Sequence, residues 1–505
     1  MKKFFFSINK YILALLLGGF LSLTLPPYNF TFLSFLVFPS LLYLLFLNRD
    51  QFSEVIFKIG FLFGYGYFLT NLYWIIYSLN FDDKLVFLKP IALIVIPSLL
   101  ACFYGFAFIV LKKFISNNVY FILVFSIVLS AFDFLRGIMF SGFPWNLFVY
   151  TWSWSLEHLQ ILRLIGTHSL NFLSIFIFCL PFLFFNRFNY KKFFLNIIFI
   201  GLVLCSNYYF GKLLLINTSL SKISDIKVAI LQPDQNIKDF NNENYQSIYV
   251  EQLIKLSNPK KYKNEKILFI WPEGVFANSD SLKEYRDLFS KNFSNNHLII
   301  LGATIFKKDD FYNSLLLLNN KAEILSSYNK IKLVPFGEFI PFYSFLEKIN
   351  LKKVTFGYGS FSKGNNRNPI SVNNEIKFLP LLCYEIIFSG TLNPEKKDYD
   401  FILNISEDGW FNKSAGTVQH LVHSQFRAIE QGKQVIRSTN QGISASIKPN
   451  GTIDQKIDFT QISSVAGDIY IQNEKTLFNI YENKIFYLLI FISSIILLFL
   501  RKKNE

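Results

Sequence analysis

The stretch "LPLLCYEIIF" (Leu379–Phe388) is an apolar run that carries a thiol and a carboxylate, Cys383 and Glu385, on either side of Tyr384. The run predicts a buried strand that ends at the cysteine. The chain has four cysteines, and the other three lie inside long hydrophobic segments: Cys102, Cys179 and Cys205. Cys383 therefore has no obvious disulfide partner in its own region. A single thiol at the end of a strand is a candidate nucleophile.

Similar apolar runs recur through the region around Cys383, and each ends in polar or turn residues. They lie at 227–234, 266–274, 297–306, 313–320, 377–385, 400–408 and 433–451. Helical patterns lie between them at 242–257 and 417–432, and Gly432 is the predicted C-terminal cap of the second. Apolar strands that alternate with helices indicate an α/β fold, in which buried sheets are covered by helices.

Two other strand ends carry residues that complement a thiol. Glu273 lies near the end of "KILFIWPEG" (266–274), while Lys330 and Glu338 flank "LVPFG". A cysteine attacks as its thiolate, and a carboxylate such as Glu273 can accept its proton. A fixed cation such as Lys330, together with backbone N–H groups, stabilises the negative charge that develops on a carbonyl oxygen. The three side chains form a complete set for acyl transfer through a thioester.

Hydrophobic residues make up 52% of the 505 residues and are concentrated in the first 215 or so. A helix that crosses a bilayer needs roughly 20 mostly apolar residues. The candidate segments are 9–25, 29–48, 55–79, 86–111, 118–138, 168–186, 193–212 and 484–500. The sequence thus predicts a membrane domain of about seven transmembrane helices at 1–215, a soluble domain at 221–480 and a C-terminal transmembrane helix at 484–500.

The basic residues, which give a net charge of +15, are concentrated in alternate connectors. Lys112 and Lys113 follow the fourth segment, for example, whereas "PPYN" after the first carries no basic residue. The positive-inside rule then places both termini in the cytoplasm and the domain at 221–480 in the periplasm of a bacterium. Because topology accounts for the charge, and no zinc-finger or other nucleic-acid signature accompanies it, nucleic acid is not an expected partner.

The N-terminal stretch "MKKFFFSINKYILALLLGGF" is interpreted as a retained helix, because no small-x-small cleavage site follows it. Asp133 and Arg136 lie near the end of a hydrophobic segment, where ionisable groups face protein or water. They are expected either to pair with each other or to border a lipid headgroup pocket. Four aromatic side chains after them fit a belt at the membrane interface: Trp145, Tyr150, Trp152 and Trp154.

Three motifs, "WPEG", "YNK…LVPFGEFIP" and "CYE", follow the order of the Glu–Lys–Cys triad of the nitrilase superfamily. Further matches are "GFPW" (142–145), "NISEDGWF" (404–411), "QHL…RAIEQG" (419–432) and "STNQGISA" (438–445). With its predicted multispan frame, nearly the whole chain resembles the apolipoprotein N-acyltransferase family, the membrane-embedded branch of that superfamily.

The resemblance implies a multispan α-helical membrane domain and a nitrilase-like α/β domain that forms an αββα sandwich. It implies three catalytic residues: Glu273, Lys330 and Cys383. Lys332 lies two residues beyond Lys330 and would point to the same side of an extended segment, so only the family's Y-x-K pattern selects Lys330. Supporting positions are Glu338, Tyr384 and Glu385.

Two departures from the family pattern accompany these matches. Phe240 lies near a position where many members carry Trp, which leaves its role open. "NISEDGWF" differs from the more usual N-D-x-W-F form, so a loop beside the site is expected to shift.

The reaction implied by the resemblance moves a fatty acyl chain from a membrane phospholipid to a lipoprotein, at the bacterial inner membrane. The donor acylates Cys383, and the acceptor is the α-amine of the N-terminal diacylglyceryl-cysteine of an apolipoprotein. No metal or other cofactor is implied. His420 and His423, three residues apart on a predicted helix, lack a clear third ligand and are assigned to packing or to the helix surface.

Two alternatives remain open at this point. The first is a membrane-anchored carbon–nitrogen hydrolase, an amidase or nitrilase, that uses the same triad with water. The second is a non-catalytic lipid- or lipoprotein-binding protein. Acylation of Cys383 by lipid separates all three hypotheses.

Overall fold

The computed structural model describes residues 9–80, 83–185, 189–236, 245–340, 360–472 and 474–502. The chain divides into two compact units. The first takes in the chain up to Ile76, then Leu88–Asn217, and the chain from Thr476 onward. The second takes in Tyr77–Phe87 and Thr218–Lys475.

The first unit is helical. Ahead of residue 218, its helices are α1 (Lys10–Ser22), α2 (Ser34–Leu47), α3 (Ser53–Asn71), α4 (Lys89–Leu111), α5 (Val119–Ile138), α6 (Leu156–Leu159), α7 (Leu162–Cys179) and α8 (Tyr190–Asn217). Two more follow the second unit, at Leu477–Tyr481 and Lys484–Lys502. Helix therefore occurs at each of the eight apolar segments of the sequence.

Within the described ranges, five helical stretches are long and apolar enough to cross a bilayer: Asp83–Phe114, Val119–Ser141, Leu162–Phe184, Tyr190–Asn217 and Lys484–Arg501. A sixth candidate is the pair Ser53–Asn71 and Tyr73–Asn80, bent by 49°. Lys10–Ser22 and Thr31–Leu47 are apolar but shorter. The number of helices that cross the bilayer, and the domain bounds 1–215, 221–480 and 484–500, stay predictions.

A buried ion pair lies inside the helical unit. Arg136 Nη2 is 3.1 Å from Asp133 Oδ1, and both side chains are fully buried. Tyr104 and Asn171 donate hydrogen bonds to the same carboxylate, at 3.0 and 3.2 Å. Arg136 also donates to the backbone oxygen of Asn146, at 3.3 Å. Of the two expectations for this pair, internal pairing is therefore the one that the structure shows.

The aromatic belt prediction is wrong for three of its four side chains. Trp145, Tyr150 and Trp152 are buried within the protein, whereas Trp154 is 55% exposed. Of these four side chains, Trp154 is the one exposed enough to reach the membrane interface.

The second unit is built on strands. In chain order its elements are β1 (Leu220–Lys222), β2 (Lys227–Gln232), α9 (Tyr245–Ser257), β3 (Ile267–Ile270), α10 (Arg286–Asn292), β4 (His297–Lys307), β5 (Asp310–Leu318), β6 (Ile324–Asn329), β7 (Ile370–Val372), β8 (Ile376–Leu382), β9 (Phe401–Ser406), α11 (Ala415–Gln431), β10 (Gln434–Thr439), β11 (Ser444–Ile447), β12 (Ile453–Ile457), β13 (Ser463–Gly467) and β14 (Tyr470–Gln472).

Two six-stranded sheets form the centre of this unit. Their strand orders are β13-β2-β3-β4-β5-β6 and β12-β11-β10-β9-β8-β7. In each sheet three neighbouring strands are parallel, β2-β3-β4 in one and β8-β9-β10 in the other, and antiparallel strands flank them. The carboxyl ends of the parallel strands are the places where such sheets carry chemistry.

The main apolar core lies between the two sheets. Strand β8 shows why, since Ile376, Phe378 and Leu382 alternate with residues of the opposite face and enter this core. Helices α9 and α10 cover the outer face of one sheet through a second core, and α11 packs on β10 and β11 of the other. The layer order is therefore helix, sheet, sheet, helix, and the predicted αββα sandwich is confirmed.

Helix α11 begins and ends at the residues that capping rules favour. The Ser414 hydroxyl accepts a hydrogen bond from the Gly416 N–H at 3.1 Å. Gly432 caps the other end with φ +60°, a left-handed conformation that glycine adopts at little cost. The predicted cap at Gly432 is confirmed.

Candidate active site

Cys383 follows β8 directly and is the first residue of a short 3-10 helix, Cys383–Ile387. Its φ of +46° lies in the left-handed region, which costs a residue with a side chain on the order of 1–3 kcal/mol. Such a conformation persists only where the surrounding structure holds it. The strand-to-helix turn places the thiol at the carboxyl end of a parallel strand.

Glu385 supplies much of the structure that holds this turn. Its Oε2 accepts a hydrogen bond from the Leu382 N–H at 2.9 Å, just before the cysteine. Its Oε1 accepts from the N–H groups of Ile331 and Lys332, both at 3.0 Å. One buried carboxylate therefore joins the turn after β8 to the segment after β6. Glu385 is a positioning residue in this geometry.

Two side chains neutralise and orient the Glu385 carboxylate. Arg367 Nη2 lies 2.5 Å from Oε1, and the Tyr328 hydroxyl donates to the two oxygens at 2.7 and 2.9 Å. Burial alone would raise the pKa of Glu385, but the Arg367 guanidinium and the backbone N–H groups outweigh it and hold the pKa below its ordinary value. Glu385 is therefore a carboxylate at neutral pH, and its interactions depend on that charge.

Lys330 follows β6 and joins two carboxylates. Its Nζ donates to Oε1 of Glu273 at 3.2 Å and to Oε1 of Glu338 at 2.8 Å. The lysine side chain is 1% exposed and each carboxylate side chain 8%. The Lys332 ammonium instead lies 5.1 Å from the ring centroid of Phe388. The structure thus distinguishes Lys330, which contacts both carboxylates, from Lys332, which does not; the spacing in the sequence could not distinguish them.

Asn313 on β5 completes this cluster. Its Nδ2 donates to Oε1 of both Glu273 and Glu338, each at 2.7 Å. The second oxygen of Glu273 accepts from the Glu407 N–H at 3.0 Å, and that of Glu338 accepts from the Val334 N–H at 2.8 Å. Sequence reasoning missed Asn313, because a neutral amide at the start of an apolar run carries no local signal of chemistry.

The electrostatics of Glu273, Lys330 and Cys383 fit a base, a cation and a thiol. Burial raises the pKa of Glu273 above its ordinary value, Lys330 opposes the rise, and Glu338 adds to it. Burial would lower the pKa of Lys330, but the two carboxylates outweigh it and hold the pKa well above the ordinary value. Burial and the charge of Glu273 raise the pKa of the Cys383 thiol, against the effect of Lys330. The thiol is thus protonated at rest and needs a base when it attacks.

A second buried network lies beside the thiol. The Ser406 hydroxyl hydrogen-bonds with the Cys383 side chain and donates to Asp408 Oδ1 at 2.7 Å. His420 Nδ1 lies 2.9 Å from the same oxygen, and Arg437 Nη2 lies 2.5 Å from Oδ2. Sequence reasoning missed Ser406, Asp408 and Arg437, since their pairing depends on neighbouring strands.

His420 is buried, and burial, followed by the charge of Arg437, lowers its pKa, so the ring is neutral at pH 7. Within the described ranges, no group of three or more His, Cys, Asp and Glu side chains is placed so that it could hold a metal ion. His423 is also buried on α11.

The other predicted positions are distributed around the turn. Tyr384 is buried, and its ring meets that of Phe388 edge-on at a centroid distance of 5.2 Å. In the "NISEDGWF" loop, the Glu407 side chain accepts from Gly409 N–H at 2.8 Å and from Asn440 Nδ2 at 2.6 Å. Phe240 lies outside the described residues, so its role stays open.

Two family descriptions match the chain. Residues 17–180 match the Apolipoprotein N-acyltransferase N-terminal domain, and residues 268–469 match Carbon-nitrogen hydrolase. Among solved structures, a CN-hydrolase superfamily protein from Xanthomonas campestris is 16% identical, with 49% of this chain and 91% of that chain covered. The TM-score of this pair is 0.35.

Curated relatives match over most of the chain. An apolipoprotein N-acyltransferase of Agrobacterium fabrum is 30% identical over 477 residues, which cover 90% of this chain and 89% of the relative. One of Rickettsia typhi is 30% identical over 466 residues, which cover 90% of this chain and 91% of that relative. The predicted fold class, a multispan helical membrane domain with a nitrilase-like domain, is confirmed, as is the predicted family. The chain belongs to the apolipoprotein N-acyltransferase family.

Proposed function

We propose that the chain N-acylates lipoproteins by transferring a fatty acyl group from a membrane phospholipid, through a thioester on Cys383, to an apolipoprotein. The acceptor is the α-amine of the N-terminal diacylglyceryl-cysteine. Family membership supports an acyltransferase that acts on a lipoprotein in a membrane. One observation supports the choice of residues. The Lys330 ammonium hydrogen-bonds to both Glu273 and Glu338, and the charges of Lys330 and Glu273 act on the Cys383 thiol.

In the first half-reaction, Glu273 accepts the proton of the Cys383 thiol while sulfur attacks the carbonyl carbon of the phospholipid ester. The new carbon–sulfur bond moves an electron pair onto the carbonyl oxygen. Lys330 and the backbone near Tyr384 hold that oxyanion. When it collapses, the bond to the glycerol oxygen breaks, and Glu273 returns its proton to that oxygen. Lysophospholipid leaves, and Cys383 carries the acyl chain.

In the second half-reaction, the α-amine attacks the thioester carbonyl. Glu273 accepts a proton from the amine as the carbon–nitrogen bond forms, and the carbon–sulfur bond breaks as the oxyanion collapses. The proton returns to the Cys383 sulfur. The product is an amide, and the resting thiol is restored without any redox step.

Three further residues support these steps from fixed positions. Glu338 orients the Lys330 ammonium through its 2.8 Å hydrogen bond. Glu385 fixes the turn before Cys383 and the segment after Lys330 through backbone hydrogen bonds. Tyr384 contributes its backbone to the oxyanion site and its buried ring to the packing of the turn.

We also propose that the chain lies in the bacterial inner membrane, with both termini cytoplasmic and residues 221–480 periplasmic. The alternate basic connectors support this orientation. A test uses Ser279→Cys for the soluble domain and Gln51→Cys as a matched reporter in a basic connector. Both are made in a background without native cysteines: Cys102→Ala, Cys179→Ala, Cys205→Ala and Cys383→Ala.

A membrane-impermeant maleimide should label Ser279→Cys in intact spheroplasts and should label Gln51→Cys only after lysis. The reverse pattern would place the soluble domain in the cytoplasm. That result would contradict a lipoprotein substrate, because the lipidated N-terminus of a lipoprotein lies on the outer face of the membrane.

The experiment that tests the reaction is intact mass spectrometry of the full-length protein after incubation with dipalmitoyl phosphatidylglycerol. We expect a palmitoyl-sized adduct on Cys383 that hydroxylamine removes, and none on Cys383→Ala. An adduct that persists in Cys383→Ala would overturn the choice of nucleophile. N-acylation without any adduct would overturn the covalent mechanism.

A further inference from the structure

Two cations close to the candidate active site are not accounted for by the reaction. Lys332 is half-buried and Lys363 is exposed. Neither side chain forms an ion pair within the part of the chain that the structure describes. The Lys332 Nζ lies 5.1 Å from the ring centroid of Phe388, and an aromatic face does not neutralise a charge. A partly buried ammonium normally has a counter-ion.

The charges around Lys332 are unbalanced. Within the described ranges, Lys363 and Arg367 repel the Lys332 ammonium and Glu385 attracts it. Glu385 is already occupied, since it accepts Arg367 at 2.5 Å and the backbone N–H groups of Ile331 and Lys332 at 3.0 Å. The three cations thus share one carboxylate. Burial, followed by the like charges of Lys363 and Arg367, lowers the pKa of Lys332. An anion bound here would relieve that repulsion.

Lys332 and Lys363 define a cationic site beside the nucleophile. The two lysines lie on neighbouring segments, because the Gly364 N–H donates to the Lys330 backbone oxygen at 2.8 Å. The N–H of Lys332 and the N–H of Leu382 donate to the same Glu385 carboxylate, at 3.0 and 2.9 Å, and Cys383 follows Leu382. Phe388, under the Lys332 ammonium, belongs to the segment that follows the nucleophile and contacts Tyr384. A group held by Lys332 is therefore a short distance from any ester presented to Cys383.

We propose that Lys332 and Lys363 bind the phosphate of the glycerophospholipid that donates the acyl chain. The inference rests on the proposed function, and it adds a binding site to it. In such a lipid the glycerol unit separates the phosphate from the reacting ester by only a few bonds. Two lysines recognise a phosphate by charge and hydrogen bonding. Lys330, with its two carboxylates, stabilises the charge on the reacting carbonyl, whereas Lys332 binds the phosphate of the headgroup.

The test compares two acyl donors with the full-length protein in detergent. Dipalmitoyl phosphatidylglycerol carries the phosphate, and p-nitrophenyl palmitate is an acyl ester without it. The readout is the rate of adduct formation on Cys383 against donor concentration. Lys332→Gln and Lys363→Gln remove one charge each, Lys332→Arg restores it, and Lys321→Gln is a matched control on an exposed turn.

We expect Lys332→Gln to raise the half-saturating phospholipid concentration about tenfold or more, the scale of one charge-assisted hydrogen bond. The maximal rate and the reaction with p-nitrophenyl palmitate should change little. Lys363→Gln should act in the same direction, Lys332→Arg should restore binding, and Lys321→Gln should match the unmodified protein with both donors.

Equal effects of Lys332→Gln on both donors would assign the lysine to the chemistry and overturn the inference. So would no effect on either donor. Glycerol phosphate and phospholipid can each be added as competitors to the reaction with p-nitrophenyl palmitate. If millimolar glycerol phosphate inhibits that reaction as strongly as phospholipid does, the site binds free phosphate and not a lipid, and the inference is overturned. If the unmodified protein forms no adduct with either donor, the proposed function itself fails, and this inference fails with it.

Discussion

Removal of the Asn313 amide should move the pH dependence of thioester formation. Asn313 donates to Glu273 and to Glu338, each at 2.7 Å, and both acceptors are buried carboxylates. Its hydrogen bond stabilises the ionised form of Glu273 and so opposes the rise in pKa that burial causes. In Asn313→Ala the pKa of Glu273 should therefore rise further.

The magnitude follows from the type of hydrogen bond that is lost. A hydrogen bond to a charged group contributes about 1.5–3 kcal/mol, and 1.36 kcal/mol corresponds to one pKa unit, so the expected shift is roughly 1–2 units. Glu273 acts as a base only when ionised, so the rate rises as pH increases through its pKa. In the unmodified protein the acidic limb of the pH–rate profile should have its midpoint above pH 4.5, the ordinary pKa of a glutamate side chain, because the pKa of Glu273 is raised. In Asn313→Ala the limb should lie higher still.

The assay is the single-turnover rate of adduct formation on Cys383 across a pH series, with phospholipid in excess. Asn329→Ala is the matched control, because that amide accepts from Ser314 at 2.8 Å in the same sheet and is on neither carboxylate. The control should keep the pH profile of the unmodified protein. An Asn313→Ala profile with an unmoved acidic limb would refute the role assigned to Asn313 and weaken the assignment of Glu273 as base.

Three other substitutions test the remaining parts of the site. Lys330→Ala should slow adduct formation by at least about 100-fold, the usual scale for an oxyanion donor, and a normal rate beside an inactive Lys332→Ala would reverse the assignment. Cys383→Ser should bind phospholipid but turn over poorly, because a serine hydroxyl ionises far less readily than a thiol; a normal rate would contradict thiolate chemistry. Glu385→Gln should lower the free energy of unfolding by about 3–5 kcal/mol, since it leaves Arg367 buried without its counter-ion, and an unchanged thermal unfolding temperature in detergent would contradict this.

The sequence predicted the strand ends of this fold well where the strands are apolar. The runs 227–234 and 400–408 contain β2 and β9, and the run 297–306 covers all of β4 except its last residue. The sequence identifies Glu273 and Cys383 because each lies where the apolar part of such a run ends. Burial on both faces of a parallel strand produces a continuous apolar pattern, and the end of that pattern is visible without a structure.

The outer strands were harder to predict, and so were the partners of the site. Strand β6 exposes Ile324, Leu325 and Ser327, so no buried apolar run marks it in the sequence, and its pairing with β5 defines it. Arg367 lies 18 residues before Glu385 and pairs with it only in the folded chain. Contacts of this kind depend on which strands are neighbours, and periodicity along the chain does not encode that.

Transfer from an isolated acyl-enzyme tests the central claim most directly. Protein loaded on Cys383 is separated from phospholipid and then mixed with a synthetic diacylglyceryl-cysteine lipopeptide, and both are followed by mass spectrometry. The account predicts that the palmitoyl group leaves Cys383 and appears as an amide on the lipopeptide in equal amount. Palmitate released to water with the lipopeptide unchanged would instead indicate a hydrolase, and a thioester that persists in the presence of the lipopeptide would contradict acyl transfer through Cys383.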